Sequence, residues 1–203
     1  GLGKASSLTF YEYVETEWHG RRMILSRTGY TGEDGFELYA ATDDTQEIWD
    51  MLLKAGVEPC GLGCRDTLRF EAGLPLYGDE LSADVTPVEA GLGMFCKFDK
   101  DEFIGKEALV AQKTSGPSKK LVGIGIADRA IPRHGYPVEL EDGTQVGEVT
   151  TGYHSISLDR SICMAYIDAA YSALGTALWI HIRKKTFPGQ VVKKRFYQTN
   201  YKK

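Results

Sequence analysis

Histidine, cysteine and proline are scarce in this 203-residue chain, at 4, 4 and 7 residues. Four cysteines (Cys60, Cys64, Cys96, Cys163) are too few and too scattered for a disulfide scaffold. Cys60 and Cys64 form C-x3-C, but no second pair and no histidine stands nearby in sequence, so the spacing does not make a zinc site. The four are expected as reduced, mostly buried thiols in a reducing compartment. No apolar run approaches the roughly 18–20 residues of a transmembrane helix, and no membrane partner is expected. Gly1–Ser7 has neither an initiator methionine nor a hydrophobic signal core, and it reads as the start of a fragment. Walker A, H-E-x-x-H and G-x-S-x-G motifs are all missing. Gly61-Leu62-Gly63 and Gly91-Leu92-Gly93 leave the dinucleotide fingerprint incomplete. The four histidines (His19, His134, His154, His181) are isolated and read as structural or exposed.

What is present is globular in character: 42% hydrophobic, 26% charged and 11% aromatic residues, which exclude low-complexity disorder. A chain of this length buries roughly 70–75% of its unfolded surface without staples. The net charge of −4 is unevenly spread. From Trp179 onward there are eight basic residues and no acidic one, leaving 16 basic against 28 acidic residues, a net −12, in the rest. A basic stretch on an acidic body is either a solvated strand face or an attractor for an anionic partner.

Along the chain, Leu8–Val14 is aromatic and β-branched and predicts a strand, with Arg22–Ser26 as its hairpin partner and His19-Gly20 at the turn. Gly29–Gly35 holds three glycines in seven residues, which permits positive φ and close backbone approach. Phe36–Ala40 is again a strand. If Phe36 and Leu38 face the core, Glu37 points away from it, just after the glycine-rich loop. Asp43 reads as an N-cap with Gln46 completing a capping box. Ile48, Met51, Leu52 and Ala55 mark one face of a helix that stops near Gly56. A second helix is predicted from Leu62 to Ala72, with Leu62 and Leu68 inward and Arg65 and Arg69 on a shared face. Asp66 pairs with Arg69, or an anionic ligand answers both arginines. Residues 75–100 are loop-rich, and Phe103–Lys113 predicts a short helix.

Thr114–Lys120 is polar and Gly-Pro centred, and the domain boundary is placed there, giving domains 1–115 and 120–203. Beyond it, Leu121–Ala127, Tyr136–Leu140, Gln145–Thr150, Ser161–Ile167, Ala177–Arg183 and Gln190–Phe196 predict six short strands, with Asp142-Gly143 as a hairpin signal. That spacing predicts a small antiparallel barrel or sandwich.

Four stretches then stand together. They are Ser26-Arg27-Thr28-Gly29-Tyr30-Thr31-Gly32-Glu33-Asp34-Gly35-Phe36-Glu37, the run Gly61–Gly78 (GLGCRDTLRFEAGLPLYG), Thr86–Gly93 (TPVEAGLG) and Gly147–Gly152 (GEVTTG). Their order and spacing resemble the T-protein of the glycine cleavage system, the tetrahydrofolate-dependent aminomethyltransferase. The resemblance covers nearly all of the chain but only the back part of that family's sequence; the front part carries the family's catalytic Asp and much of its folate pocket. It implies an α+β protein, a mixed α/β folate-binding portion followed by a C-terminal antiparallel Greek-key β-barrel. It implies transfer of the one-carbon unit from an aminomethyl group on lipoylated H-protein to tetrahydrofolate, with release of ammonia. It places the family's folate-binding Glu on Glu37, a folate-contacting Arg on Arg65 and a Tyr of the C-terminal T-N-Y stretch on Tyr201. No residue of this chain takes the catalytic role, no metal is implied, and the fragment alone is expected to be inactive. The compartments that suit the family are the bacterial cytoplasm, which is favoured, and the mitochondrial matrix.

The chain departs from the family's pattern at Met94, where many members carry an aromatic, and at Ser155-Ile156-Ser157, which lacks a proline. Glu71–Leu76 stands where iron–sulfur-associated relatives carry a K-G-C-x-x-G-Q-E-type motif. Another folate-dependent demethylase-type member of the same fold is the alternative within the family. A nucleic-acid-binding barrel, with Phe187, Phe196 and Tyr197 interleaved among lysines, is the alternative of another class; a body of net −12 speaks against it, and no nucleic-acid partner is expected. A further reading makes Lys193, Lys194 and Arg195 a docking face for the acidic carrier protein.

Overall fold

The computed structural model describes residues 2–199. They form two compact units, one running to Ala72 and taking up Gln198 and Thr199 again, the other Gly73–Tyr197.

The first unit holds a three-stranded antiparallel sheet, β1 (Tyr13–Trp18), β2 (Arg21–Ser26) and β3 (Glu37–Tyr39), in that order, and the helices α1 (Thr42–Lys54) and α2 (Gly61–Glu71). The β1–β2 turn falls at His19-Gly20 as expected, with φ of 50° and 78°, the left-handed pair that a tight hairpin requires. The first strand lies later than the predicted Leu8–Val14. Tyr11 has φ 70°, which no strand accommodates, so the ladder begins at Tyr13↔Ser26. Within β1, Val14, Thr16 and Trp18 alternate with exposed Tyr13, Glu15 and Glu17. Buried Met23, Leu25, Ile48, Phe70 and Ala72 make a small core.

Two expectations about the helices fail. Ala41, not Asp43, is at the N-cap of α1, with no side-chain cap. The buried acid is Asp44, whose Oδ1 lies 2.6 Å from Arg21 Nη2; both Asp43 and Asp44 sit in the first turn, where they oppose the helix dipole favourably. Leu62 is 81% exposed rather than inward. The fully buried residue of α2 is Arg69, whose Nε donates to Asp66 Oδ1 at 2.7 Å, so the pairing of Asp66 with Arg69 holds.

The second unit holds α3 (Lys106–Ser115) and a closed six-stranded antiparallel barrel. Its strands are β4 (Lys119–Ile126), β5 (Pro137–Glu139), β6 (Gln145–Ser155), β7 (Arg160–Asp168), β8 (Ala177–Ile182) and β9 (Lys185–Val192). The order β4-β7-β6-β5-β8-β9 puts three consecutive hairpin-linked strands beside a returning β4, a Greek key. Ile124, Val138, Val149, Ile162, Leu178 and Ile180 are fully buried. The last strand ends at Val192 rather than extending to Phe196. It starts earlier because Pro188 pairs only with Trp179 of β8, before pairing with β4 begins at Gly189, so its missing N–H leaves no ladder bond unmade. Only Cys163 of the four cysteines is buried; Cys60 is exposed, and Cys64 and Cys96 are half-buried.

Candidate functional site

In the first unit the glycine-rich stretch is a stapled loop. Arg27 grips Asp34 with both nitrogens of its fork, Nε to Oδ1 at 3.0 Å and Nη2 to Oδ2 at 2.9 Å, and its Nη1 donates to Leu8 O. Phe36 lies 5.7 Å from that guanidinium and is 45% exposed, so it covers the staple instead of entering the core as expected. Inside the loop, Gly32 has φ +80°, and a Cβ there would lie 2.8 Å from Ala72 Cβ and 2.9 Å from Thr199 Cγ2. Only glycine fits a backbone that is both left-handed and that close to its neighbours.

The staple delivers two side chains. Glu37 opens β3 opposite Ser26 of β2. Its Oε2 accepts hydrogen bonds from Thr28 Oγ1 and, at 3.2 Å, from the Tyr39 hydroxyl. Among the described residues Oε1 takes no hydrogen bond. The Glu37 charge is the main reason that the Tyr39 phenol is held above its ordinary value, with a smaller push from desolvation. Arg65, exposed on α2, lies 4.4 Å from the Tyr30 ring centroid, a cation–π contact that fixes the guanidinium plane. The same loop therefore sets Thr28 against Glu37 and Tyr30 against Arg65. Tyr201 lies outside the described residues. Sequence reasoning singled out Glu37 and Arg65 but missed Thr28, Tyr30 and the Arg27–Asp34 staple; the quoted motif contains all four, and its length was the signal available.

The second unit gathers other motif residues around a buried carboxylate. Glu80 is fully buried, and its Oε1 accepts from Thr150 Oγ1 at 2.7 Å and Thr151 Oγ1 at 2.6 Å, while Oε2 accepts from Leu76 N at 3.0 Å. Adjacent strand residues normally face opposite ways. Here the register shifts between Val149↔Ala165 and Thr151↔Met164, so Thr150 is an extra residue and the bulge turns both hydroxyls to one oxygen. The Tyr166 hydroxyl donates to Glu80 O at 2.8 Å; burial pushes that phenol strongly up, helped by Glu89 and then Glu80. Lys194 Nζ donates to Ala90 O at 2.7 Å, and burial pulls its ammonium below the ordinary value against the opposing charge of Glu80. Lys194 is thus a structural cation, and Phe196 is buried, so neither serves the docking or stacking face read from the basic stretch. Met94, in a 3-10 turn at Gly93–Phe95, is 80% exposed. Among the described residues no group of three or more His, Cys, Asp and Glu could hold a metal ion, and no helix is long and apolar enough to cross a membrane.

A mixed α/β region carrying this loop, followed by a six-stranded barrel, matches two family profiles. The "GCVT N-terminal domain" covers residues 3–100, and the "Glycine cleavage T-protein C-terminal barrel domain" covers residues 119–198. The chain belongs to the glycine cleavage T-protein family. It is 50% identical over 198 residues to the aminomethyltransferase of Caldanaerobacter subterraneus subsp. tengcongensis, covering 96% of this chain and 53% of that protein. It is likewise 50% identical over 198 residues to that of Alkaliphilus oremlandii, with 96% and 54% covered. The crystal structure of glycine cleavage system aminomethyltransferase T from Bartonella henselae superposes with a TM-score of 0.91 at 32% identity, over 98% of this chain and 55% of that one. The chain spans about half the length of the curated relatives it matches.

Proposed function

We propose that this chain supplies folate-facing residues for aminomethyl transfer, the activity for which its relatives are named. In that reaction the one-carbon unit passes from the aminomethyl-lipoyl arm of H-protein to tetrahydrofolate, and ammonia is released. The bacterial relatives favour a cytoplasmic setting. The gap between the two family matches, residues 101–118, supports a functional division between 115 and 120.

The observation that carries the reading is the Glu37 carboxylate, whose Oε1 takes no hydrogen bond among the described residues and whose Oε2 is held by two hydroxyls. A pterin presents a 2-amino group beside a ring N–H, two donors that one carboxylate can accept together. Oε1 takes one of them; at Oε2 the longer, half-exposed contact from Tyr39 gives way to the other, while Thr28 stays to hold the carboxylate plane. Arg65, braced on Tyr30, offers a planar fork to a carboxylate or carbonyl of the same ligand. Tyr201 is proposed as a third contact.

The test is calorimetric titration of 5-methyl-tetrahydrofolate into the chain and into Glu37→Gln. Gln keeps the shape but replaces one acceptor with a donor and removes the charge. Loss of two charge-assisted hydrogen bonds is expected to weaken binding at least about tenfold. Undiminished binding in E37Q overturns the assignment; because part of the family's folate pocket lies outside this chain, absence of saturable binding moves the same pair of titrations to the full-length protein, where undiminished binding in E37Q again overturns it.

A further inference from the structure

The barrel carries a concavity whose chemistry is independent of the folate reading. A cavity of about 580 Å³ opens between the β8–β9 turn and the loop that precedes β5. That volume falls within the roughly 300–1,000 Å³ of small-molecule sites. Its floor is apolar: Tyr136, Ile182 and Phe187 line it and also pack on the barrel core. Its rim is cationic, from Arg133, Arg183, Lys184 and Lys185, and no acidic side chain lines it.

Three features distinguish this rim from a solvated basic face. First, Ile182↔Lys185 closes a two-residue turn in which Arg183 has φ 57°. Glycine or asparagine takes that conformation with least strain, and a bulky cation held there is an outlier of the kind that marks functional positions. Second, the turn is fixed from beneath: the His181 ring spans Glu139 Oε1 at 3.1 Å and Arg183 O at 3.0 Å. Third, Glu139 is engaged by that histidine, and among the described residues Arg183, Lys184 and Lys185 form no ion pair. The basic stretch is also divided by the fold. The eight residues of β9 set this cluster roughly 26 Å from Lys193–Arg195 along the strand, and Lys194 there is already spent on Ala90 O.

We propose that this cavity binds an organic polyanion bearing a flat apolar ring, the chemistry of a nucleoside polyphosphate. The ring would lie against Phe187 and Tyr136, and the phosphates would meet Arg183, Lys184 and Lys185. Guanidinium forks and ammonium groups grip phosphate oxygens with charge-assisted bonds, and the aromatic floor rewards the ring.

ATP is the probe, titrated calorimetrically into the 203-residue chain at low salt, beside tripolyphosphate. Saturable ATP binding that weakens with salt is expected, with tripolyphosphate at least about tenfold weaker because it lacks the stacking ring. The exposed pair Lys184→Glu with Lys185→Glu should weaken ATP at least about tenfold. Phe187→Ala should weaken ATP and leave tripolyphosphate unchanged. If F187A does not fold, the charge reversal, made on exposed turn residues, decides alone. No saturation at millimolar ATP, tripolyphosphate binding as tight as ATP, or ATP binding unchanged in the charge-reversed chain each overturns the proposal.

Discussion

Gly32 meets two separate demands: a backbone at φ +80° and a Cβ position already occupied by Ala72 and Thr199. Gly32→Ala therefore carries the left-handed penalty of about 1–2 kcal/mol together with an overpacking cost, about 2–4 kcal/mol in all. Urea unfolding measures it; a loss under about 0.5 kcal/mol would mean that the loop moves freely off Ala72. At this scale the sequence was half legible. Glu37 and Arg65 were named through the resemblance, and the Asp66–Arg69 pair followed from i,i+3 spacing. The Arg27–Asp34 staple, the Thr28 hydroxyl on Glu37 and Tyr30 under Arg65 join residues 7, 9 and 35 apart across loops, where no period constrains them. The exposed Phe36 was misread for the same reason: its place is set by the guanidinium beside it, not by strand alternation.

Among the elements, β6 shows how a signature can be structural. The G-E-V-T-T-G stretch keeps Gly147 where a Cβ would lie 2.2 Å from Tyr166 O, bulges at Thr150, and keeps Gly152 where a Cβ would lie 2.6 Å from Pro132 O. Its product is a pair of hydroxyls on the buried Glu80. Thr150→Val should destabilise the chain by about 1–3 kcal/mol by leaving a buried carboxylate short of a donor. The T150V/T151V double variant should not be additive, because both hydroxyls serve one oxygen; a double-mutant cycle on urea midpoints reads this, and strict additivity would contradict the shared acceptor. The barrel was legible because its strands are short, apolar and evenly spaced, and because Asp142-Gly143 marks its hairpin: Gly143 has φ +84° and Asp142 Oδ1 accepts from Thr144 N at 2.9 Å. The strand that moved, β9, contains a proline and begins in lysine, two signals that ordinarily argue against a strand and that a one-sided pairing overrides. The capping box on α1 failed because the helix begins one residue before Asp43, with Ala41 at the N-cap, and Gln46 donates to Asp50 Oδ1 at 2.9 Å instead.

For the whole molecule, proton linkage sets the alkaline limit. Burial pushes the Cys163 thiol far above its ordinary value of 9.0, and the Tyr166 phenol above 10.0. Both stay protonated in the fold while the unfolded chain releases its protons, so their contribution is complete below pH 9 and is lost as pH rises beyond it. Lys194, whose value is lowered, acts the other way: it adds stability between its folded value and 10.5, where the buried ammonium sheds its charge. The Cys163 part of the unfolding free energy should therefore fall above pH 9, by up to about 1.4 kcal/mol per pH unit, while Lys194 offsets that loss up to 10.5. Cys163→Ala should be less stable at pH 7, because it leaves a cavity, yet lose less between pH 9 and 10.5. Lys194 and Tyr166 are common to both chains and cancel in the comparison. Parallel pH profiles would show that the thiol titrates alike folded and unfolded.

The seam at Thr199 has a consequence in time. The first unit takes up Gln198 and Thr199 although the 125 residues of Gly73–Tyr197 intervene. A ribosome working at roughly 5–20 residues per second needs roughly 6–25 s to make that stretch. Thr199 Cγ2 is one of the two neighbours that close over Gly32. During synthesis the sheet, both helices and the barrel strands all leave the ribosome before the residue that finishes the glycine loop, so the surface bearing Glu37 sets only after the barrel strands have been made.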